Sequence, residues 1–272
     1  MKKNNFSVLM SVYINDEASI FYEAVDSVLN NSIKPSEFII VIDGPIRNDL
    51  RDVIKYFSED PNNNIKILEL HRNYGLGRAL NKGLKKINNE FVFRADADDF
   101  NHRNRFETQI KYLIDGYDIV GSFINEVDKN KKFIAKREVP TSEDSIKRFI
   151  KRRSPFNHMT VGYRLSSVIN SGLYPENFDK REDYALWAVM ISKGARAMNV
   201  DDVLVNATTG KEMYKRRGGL KYAVGEFRFQ KFLVKIGIKN HIEAVFDFFL
   251  RFIAFIIPSF IRGFIYLKWL RK

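Results

Sequence analysis

The chain has 272 residues, 45% of them hydrophobic and 29% charged, with a net charge of +12 and no cysteine. That balance describes a folded globular chain rather than a disordered one, and the missing cysteine excludes a disulfide scaffold, a thiolate metal site and a thiol nucleophile. The charge is uneven: Lys211 to Lys272 holds 14 Lys/Arg against 4 Asp/Glu, a surplus of +10 that leaves +2 for the first 210 residues.

The predicted elements alternate from the start. Phe6 to Tyr13 is a continuous apolar run, the pattern of a strand covered on both faces. Glu17 to Leu29 places Ile20, Phe21, Ala24, Val25 and Val28 at helical spacing. Phe38 to Ile42 is a second strand, stopped by Gly44-Pro45. Leu50 to Phe57 reads as a helix, Ile65 to Leu70 as a third strand, and Gly77 to Ile87 as a helix. Phe91 to Phe93 is a short fourth strand ending at Arg94-Ala95-Asp96, followed by a helix over Arg103 to Leu113 and a fifth strand over Asp118 to Phe123. Later the alternation weakens: a strand over Phe133 to Val139, a basic helix over Ser142 to Lys151 and a helix over Arg181 to Ser192. Such repetition predicts an α/β fold, with a mostly parallel central sheet, right-handed crossovers and helices on both faces. One domain over residues 1–210 and a helical region over 211–272 is the simplest partition.

That second region is basic and rich in large apolar side chains, among them Phe246, Phe249, Phe260, Tyr266 and Trp269. Arg251 and Arg262 bracket an apolar run broken by Pro258, too short to span a bilayer. Two amphipathic helices lying in an anionic membrane interface fit this pattern; packing on the body or on a second subunit is the alternative. No signal peptide is visible at the start, so a cytoplasmic protein peripheral to the membrane's inner face is expected.

In an open parallel sheet, ligands bind beyond the carboxyl ends of the strands. Asp43 ends the second strand there, and Asp96-Ala97-Asp98-Asp99 ends the fourth. Three carboxylates in four residues repel one another unless a cation or donors neutralise them, and hard carboxylate oxygens suit Mg²⁺ or Mn²⁺, which suit a diphosphate. The competing reading is a cap, with Asp99 or Asn101 opening the helix near Arg103. Glu182-Asp183 is either an acidic first helical turn or a general base near the crevice rim. Gly75-Leu76-Gly77 is no dinucleotide fingerprint, since Leu80 stands where a third glycine belongs; it reads as a turn, with Arg78 within reach of an anion. The four histidines are scattered, with no metal-ligand spacing.

The ordered set Phe6-Ser-Val-Leu-Met-Ser-Val-Tyr13, Phe38-Ile-Ile-Val-Ile-Asp-Gly44, Asn73-Tyr-Gly-Leu-Gly-Arg-Ala79, Asp96-Ala-Asp-Asp99 and Glu182-Asp-Tyr-Ala-Leu-Trp187 resembles family 2 glycosyltransferases of the A-type nucleotide-sugar fold, particularly bacterial surface-polysaccharide enzymes. The resemblance covers roughly Phe6 to Val205. It implies donor-binding roles: Tyr13 stacking near uracil, Asp43 accepting from its ring N–H, Arg78 near the diphosphate, and Asp96 facing ribose or diphosphate. His158, in Asn157-His-Met-Thr160, matches a histidine near the donor diphosphate, with a buried or capping histidine as the alternative. Asp98 would hold the metal and Asp183 would be the catalytic base. The chain departs from the pattern at Ser11, Ile14, Ile42 and Pro45, all near the nucleotide.

The implied activity is metal-dependent inverting transfer from a nucleotide-sugar, a UDP-sugar, to a lipid-linked saccharide. Lys215-Arg216-Arg217-Gly218-Gly219 would be either a cationic loop near a diphosphate or a solubilising run. Two other classes compete. A nucleotidyltransferase should carry a glycine-rich basic loop after the first strand, where this chain has Tyr13-Ile14-Asn15-Asp16-Glu17. A nucleic-acid-binding protein should spread basic and aromatic residues over the body, which is nearly neutral.

Overall fold

The computed structural model describes residues 5–178, 180–209 and 220–256. The first half runs β1 (Phe6–Val12), α1 (Ala18–Leu29), β2 (Glu37–Ile42), α2 (Asn48–Ser58), β3 (Ile65–Glu69), α3 (Leu76–Leu84), β4 (Phe91–Asp96), β5 (Asp99–Asn101) and α4 (Arg105–Ile114). The second half runs β6 (Ile119–Val127), β7 (Phe133–Arg137), α5 (Glu143–Phe149), a 3-10 turn at His158–Thr160, β8 (Gly162–Arg164), α6 (Leu165–Asn170), α7 (Glu182–Ser192), β9 (Ala197–Thr208), α8 (Leu220–Lys235) and α9 (His241–Ile256).

The strands form one sheet in the order β3-β2-β1-β4-β8-β6-β9-β5, with β7 on β6. The α/β class and its two helical layers are as the alternation predicts. Within the sheet, parallel pairing joins β1 to β2 and β4, β2 to β3, and β6 to β9; the short strands β5, β7 and β8 pair antiparallel, so the sheet is mixed. β5 and β8 have three residues each, too few to show a period. β9 reads poorly because Asp201-Asp202 interrupts it. The register explains that interruption: Ser122 pairs with Val200 but Phe123 with Val203, so the two aspartates sit in a bulge.

Both faces of β1 and β2 are covered. Val8, Met10, Val12, Phe38 and Ile40 pack on Phe21 and Val25 of α1, Leu50 and Ile54 of α2, and Phe106 of α4. Leu9, Ile39 and Val41 face Leu80 and Leu84 of α3, and the same core continues through Leu186 and Trp187 of α7 to Phe229 and Leu233 of α8. This is why the strands are apolar at successive positions rather than alternate ones. Parallel register then aligns the strand ends: Val12 lies opposite Ile42, and Ser11 opposite Asp96. The loops after β1, β2 and β4 therefore leave the sheet along one edge.

Candidate active site

At that edge a carboxylate cluster forms. Asp96, Asp98 and Asp99 each offer an oxygen, all within 4.8 Å of one another. β4 carries Asp96 as its last residue, and β5 begins at Asp99, so the turn between two strands compresses the three charges. The alternative of a helix cap fails: the residue before α4 is Asn104, whose side chain makes no capping bond, while Asp99 Oδ1 instead accepts from the Thr208 N–H at 2.8 Å.

Asp98 lies on the open side of the cluster. Crowding by the surrounding protein, then the charges of Asp96 and Asp16, push its carboxyl up to about 7. The deeper Asp99 is also raised well above the usual carboxylate range, by burial and by its two acidic neighbours, and its Oδ2 has no hydrogen-bond partner among the described residues. Asp16, from the loop after β1, is raised to about 6, again by burial first, although the Tyr13 N–H bonds its carboxylate at 2.8 Å.

Beneath the cluster lies Arg94, only 1% exposed. Its guanidinium is ion-paired with Asp96. Its charge also acts on Asp98, Asp99, Tyr163, Tyr174 and His158. Arg105 donates to the Arg94 carbonyl at 2.7 Å and so supports the strand from below. Sequence reading passed over Arg94 and Asp16. The signal for Arg94 was a lone charge inside the apolar strand Phe91–Asp96, where burial demands a partner.

The arginine links the acidic edge to a second group of side chains. His158 Nε2 and the Tyr174 hydroxyl are 3.0 Å apart. Burial and then the Arg94 charge hold the His158 imidazole well below its ordinary value, so at neutral pH the ring is uncharged. The Tyr174 hydroxyl is raised by burial and feels the nearby negative charge of Asp183. Asp183, in the first turn of α7, is therefore near enough to Tyr174 for its charge to be felt there. Trp187, one helical turn on, packs its ring against His158 and Tyr174 at centroid distances of 6.0 and 6.2 Å.

On the β1–β2 side, Asp43 is 4% exposed and its backbone N–H bonds Val12 at 2.8 Å, beside Tyr13. Its carboxylate is already engaged: Oδ1 accepts from Tyr74 N–H at 2.8 Å and Oδ2 from Gly75 N–H at 2.9 Å. Each oxygen retains one acceptor site. Gly44 must be glycine, since φ is +91° and a Cβ would lie 2.5 Å from the Asn73 nitrogen. Tyr13 is 37% exposed, presenting its ring to solvent at this edge.

Arg78 falls elsewhere. Its Nε pairs with Glu176 at 3.1 Å, in a cleft lined also by Tyr74, Lys180 and Glu182. Among the described residues no ion pair ties it to the acidic cluster. Gly77 lets α3 and α7 approach: a Cβ there would meet Glu182 Cβ at 3.1 Å. The Lys215 to Gly219 run and the stretch beyond Ile256, with Tyr266 and Trp269, lie outside the described residues.

The sequence model of glycosyl transferase family 2 matches residues 7–174. An uncharacterized glycosyltransferase of Haemophilus influenzae is 37% identical over 98% of this chain and 99% of its own. The UDP-Gal:alpha-D-GlcNAc-diphosphoundecaprenol beta-1,3-galactosyltransferase of Escherichia coli is 36% identical, covering 98% and 97% of the two chains. The amylovoran biosynthesis glycosyltransferase AmsE of Erwinia amylovora is 31% identical over 97% and 98%. Among solved structures, residues 1–349 of S. aureus TarS in complex with UDP-GlcNAc share the fold at a TM-score of 0.69 and 21% identity, over 97% of this chain and 76% of that one.

Proposed function

The chain belongs to glycosyl transferase family 2, and from that premise we propose that it moves a sugar from a UDP-sugar to a hydroxyl of a lipid-linked saccharide in bacterial surface-polysaccharide synthesis. One observation carries the reading: acidic groups from separate loops gather around buried Arg94 at the edge where β1, β2 and β4 end. The relatives' names support the substrate class, since one uses UDP-Gal on a diphosphoundecaprenol-linked sugar and another serves amylovoran synthesis.

The cluster fits a hard divalent cation. Its donors are all carboxylate oxygens within 4.8 Å of one another, and Asp99 Oδ2 accepts no hydrogen bond among the described residues. Asp98, with Asp96 beside it, would hold Mg²⁺ or Mn²⁺. When bound, such an ion offsets the negative charge that grows on a departing diphosphate.

The remaining roles belong to the chain. The exposed Tyr13 ring stacks on uracil, and the free acceptor sites of Asp43 take its ring N–H. Neutral His158, oriented by Tyr174, offers a hydrogen bond rather than a charge to a diphosphate oxygen. The Arg78–Glu176 pair is exposed and therefore weak, so the guanidinium can exchange Glu176 for phosphate. Asp183 accepts the proton of the acceptor hydroxyl as that oxygen attacks the anomeric carbon opposite the diphosphate. A single displacement inverts the anomeric configuration. Residues 1–210 form the catalytic unit in this reading, and 211–272 hold it at the inner face of the membrane. A screen of UDP-sugars on a lipid-linked acceptor, with product configuration read by NMR, tests it. Retained configuration refutes single displacement, and transfer from other nucleotide-sugars only refutes the UDP assignment.

A further inference from the structure

The last described helix, α9, is built inside out. Ile242, Val245, Phe246, Phe249 and Leu250 follow the spacing i, i+3, i+4, i+7, i+8 and form one stripe. That stripe faces solvent: Ile242 is 81% exposed and Phe249 58%. Three charged residues of the same helix turn toward the body. Asp247 pairs with Lys239 at 2.5 Å, Glu243 with Lys151 at 2.8 Å, and Arg251 with Glu226 at 3.0 Å. A helix that ended in water would reverse this arrangement, because burying the Lys239–Asp247 pair costs desolvation and exposing a contiguous apolar patch gains nothing. Phe227 of α8 extends the patch across a groove that it shares with Val234, Phe248 and Phe249.

Cations rim this face. Lys231 lines the apolar groove. On the other flank a cleft of about 710 Å³ brings Arg148, Arg152 and Arg153 together with Phe246. Arg148 is in the last turn of α5 and Arg152 and Arg153 follow that helix, so all three lie outside the C-terminal region altogether. A second copy of the chain is a poor occupant, since a two-fold interface would set like-charged rims against each other. The chain's own residues 257–272 carry Arg262, Lys268, Arg271 and Lys272 and no acidic group, so their charge has the same sign as the rim and does not complement it.

We propose that the apolar stripe of α9, with the arginine turn Arg148–Arg153 beside it, is the surface that seats this protein on an anionic phospholipid bilayer. The inference rests on the lipid-linked acceptor reading and adds to it the face and the orientation. The apolar side chains enter the headgroup boundary while the cations meet phosphates. The seat is tied to the catalytic elements by ion pairs: Glu226 of α8 accepts from Arg181 at 2.8 Å, immediately before α7 and Asp183, and also binds Arg251 of α9. The arginine turn itself leads into the 3-10 turn of His158. Docking therefore sets the direction in which the carboxylate edge faces the membrane.

Vesicle flotation of the full chain tests this. Wild type is expected to float with phosphatidylcholine vesicles containing about one-third phosphatidylglycerol, and poorly with phosphatidylcholine alone. The pair Phe249→Ser/Leu250→Ser, and separately Arg148→Ser/Arg152→Ser, should each lower the floated fraction about tenfold or more. Stabilisation by UDP should stay at the wild-type level in both pairs, which separates a lost seat from a lost fold. Flotation unchanged by either pair overturns the proposal. So does a wild-type dimer in solution that the Phe249→Ser/Leu250→Ser pair dissociates. Should wild type float as expected but show no UDP response, the transferase reading fails while the docking surface stands.

Discussion

Arg94 is the residue on which the acidic edge depends. Three carboxylates within 4.8 Å would repel one another, and one fully buried guanidinium lies against them. Arg94→Met should destabilise the protein by about 3–5 kcal/mol in urea unfolding, the cost of leaving a buried charge without its partner. Mn²⁺ should restore part of that loss, because the cation answers the same repulsion; equal losses with and without Mn²⁺ would detach the arginine from the cluster. Asp98→Asn removes the open-side ligand. Transfer should fall about a thousandfold or more, and UDP should stabilise the variant equally with and without Mn²⁺. For Asp183→Asn the expected result is different: kcat down by about 10²–10⁴ with UDP affinity within about twofold, read by kinetics and calorimetry. Full activity in that variant removes Asp183 from the base role.

Among the elements, the first strands are joined at their amino ends by one carboxylate. Glu37, at the start of β2, accepts from Ser7 of β1 at 2.6 Å, Lys66 of β3 at 2.7 Å and the Asn88 side chain before β4 at 2.7 Å. Burial alone would raise its proton affinity, but the bonds from Lys66, Ser7 and Asn88 outweigh it and hold the carboxyl below its ordinary value of 4.5. Because the folded value is the lower one, this contribution is complete above about pH 4.5 and is lost as pH falls below it. Glu37→Gln should therefore cost about 1–3 kcal/mol at pH 7, and the gap to wild type should close near pH 3. A gap that is constant with pH would mean that the side chain acts by shape alone. The elements themselves were legible where the apolar period was long: α1, β2 and α7 lie within a residue or two of their predicted limits. β5, β8 and the bulged β9 were not, because short or interrupted strands owe their existence to neighbours in the sheet rather than to their own pattern.

At the scale of the whole molecule, binding should be visible as stability. A ligand that binds only the folded chain adds about 2.7 kcal/mol at a hundredfold excess over its Kd. UDP with Mn²⁺ should raise the Tm well above UDP alone, and DNA should leave it unchanged. A DNA shift equal to that of metal and UDP would return the basic surface to nucleic-acid binding. The C-terminal helices show how amphipathic patterning leaves two outcomes open. Phe229 and Leu233 of α8 pack into the core, whereas Ile242, Val245, Phe246, Phe249 and Leu250 of α9 face outward, and both helices are rich in phenylalanine.

The sequence alone determined the α/β class, the acidic turn after the fourth strand and the family to which the ordered motifs belong. Those depend on local period and on residues adjacent in the chain, and local chemistry survives in a one-dimensional reading. Only the tertiary structure decided that Arg94 lies under the carboxylates, that Asp16 joins them, that Asp43 braces the turn at Tyr74-Gly75 and that Arg78 turns to Glu176. Each of these is a contact between chain segments set side by side by strand register and helix packing, and no spacing along the chain encodes a distance across the sheet.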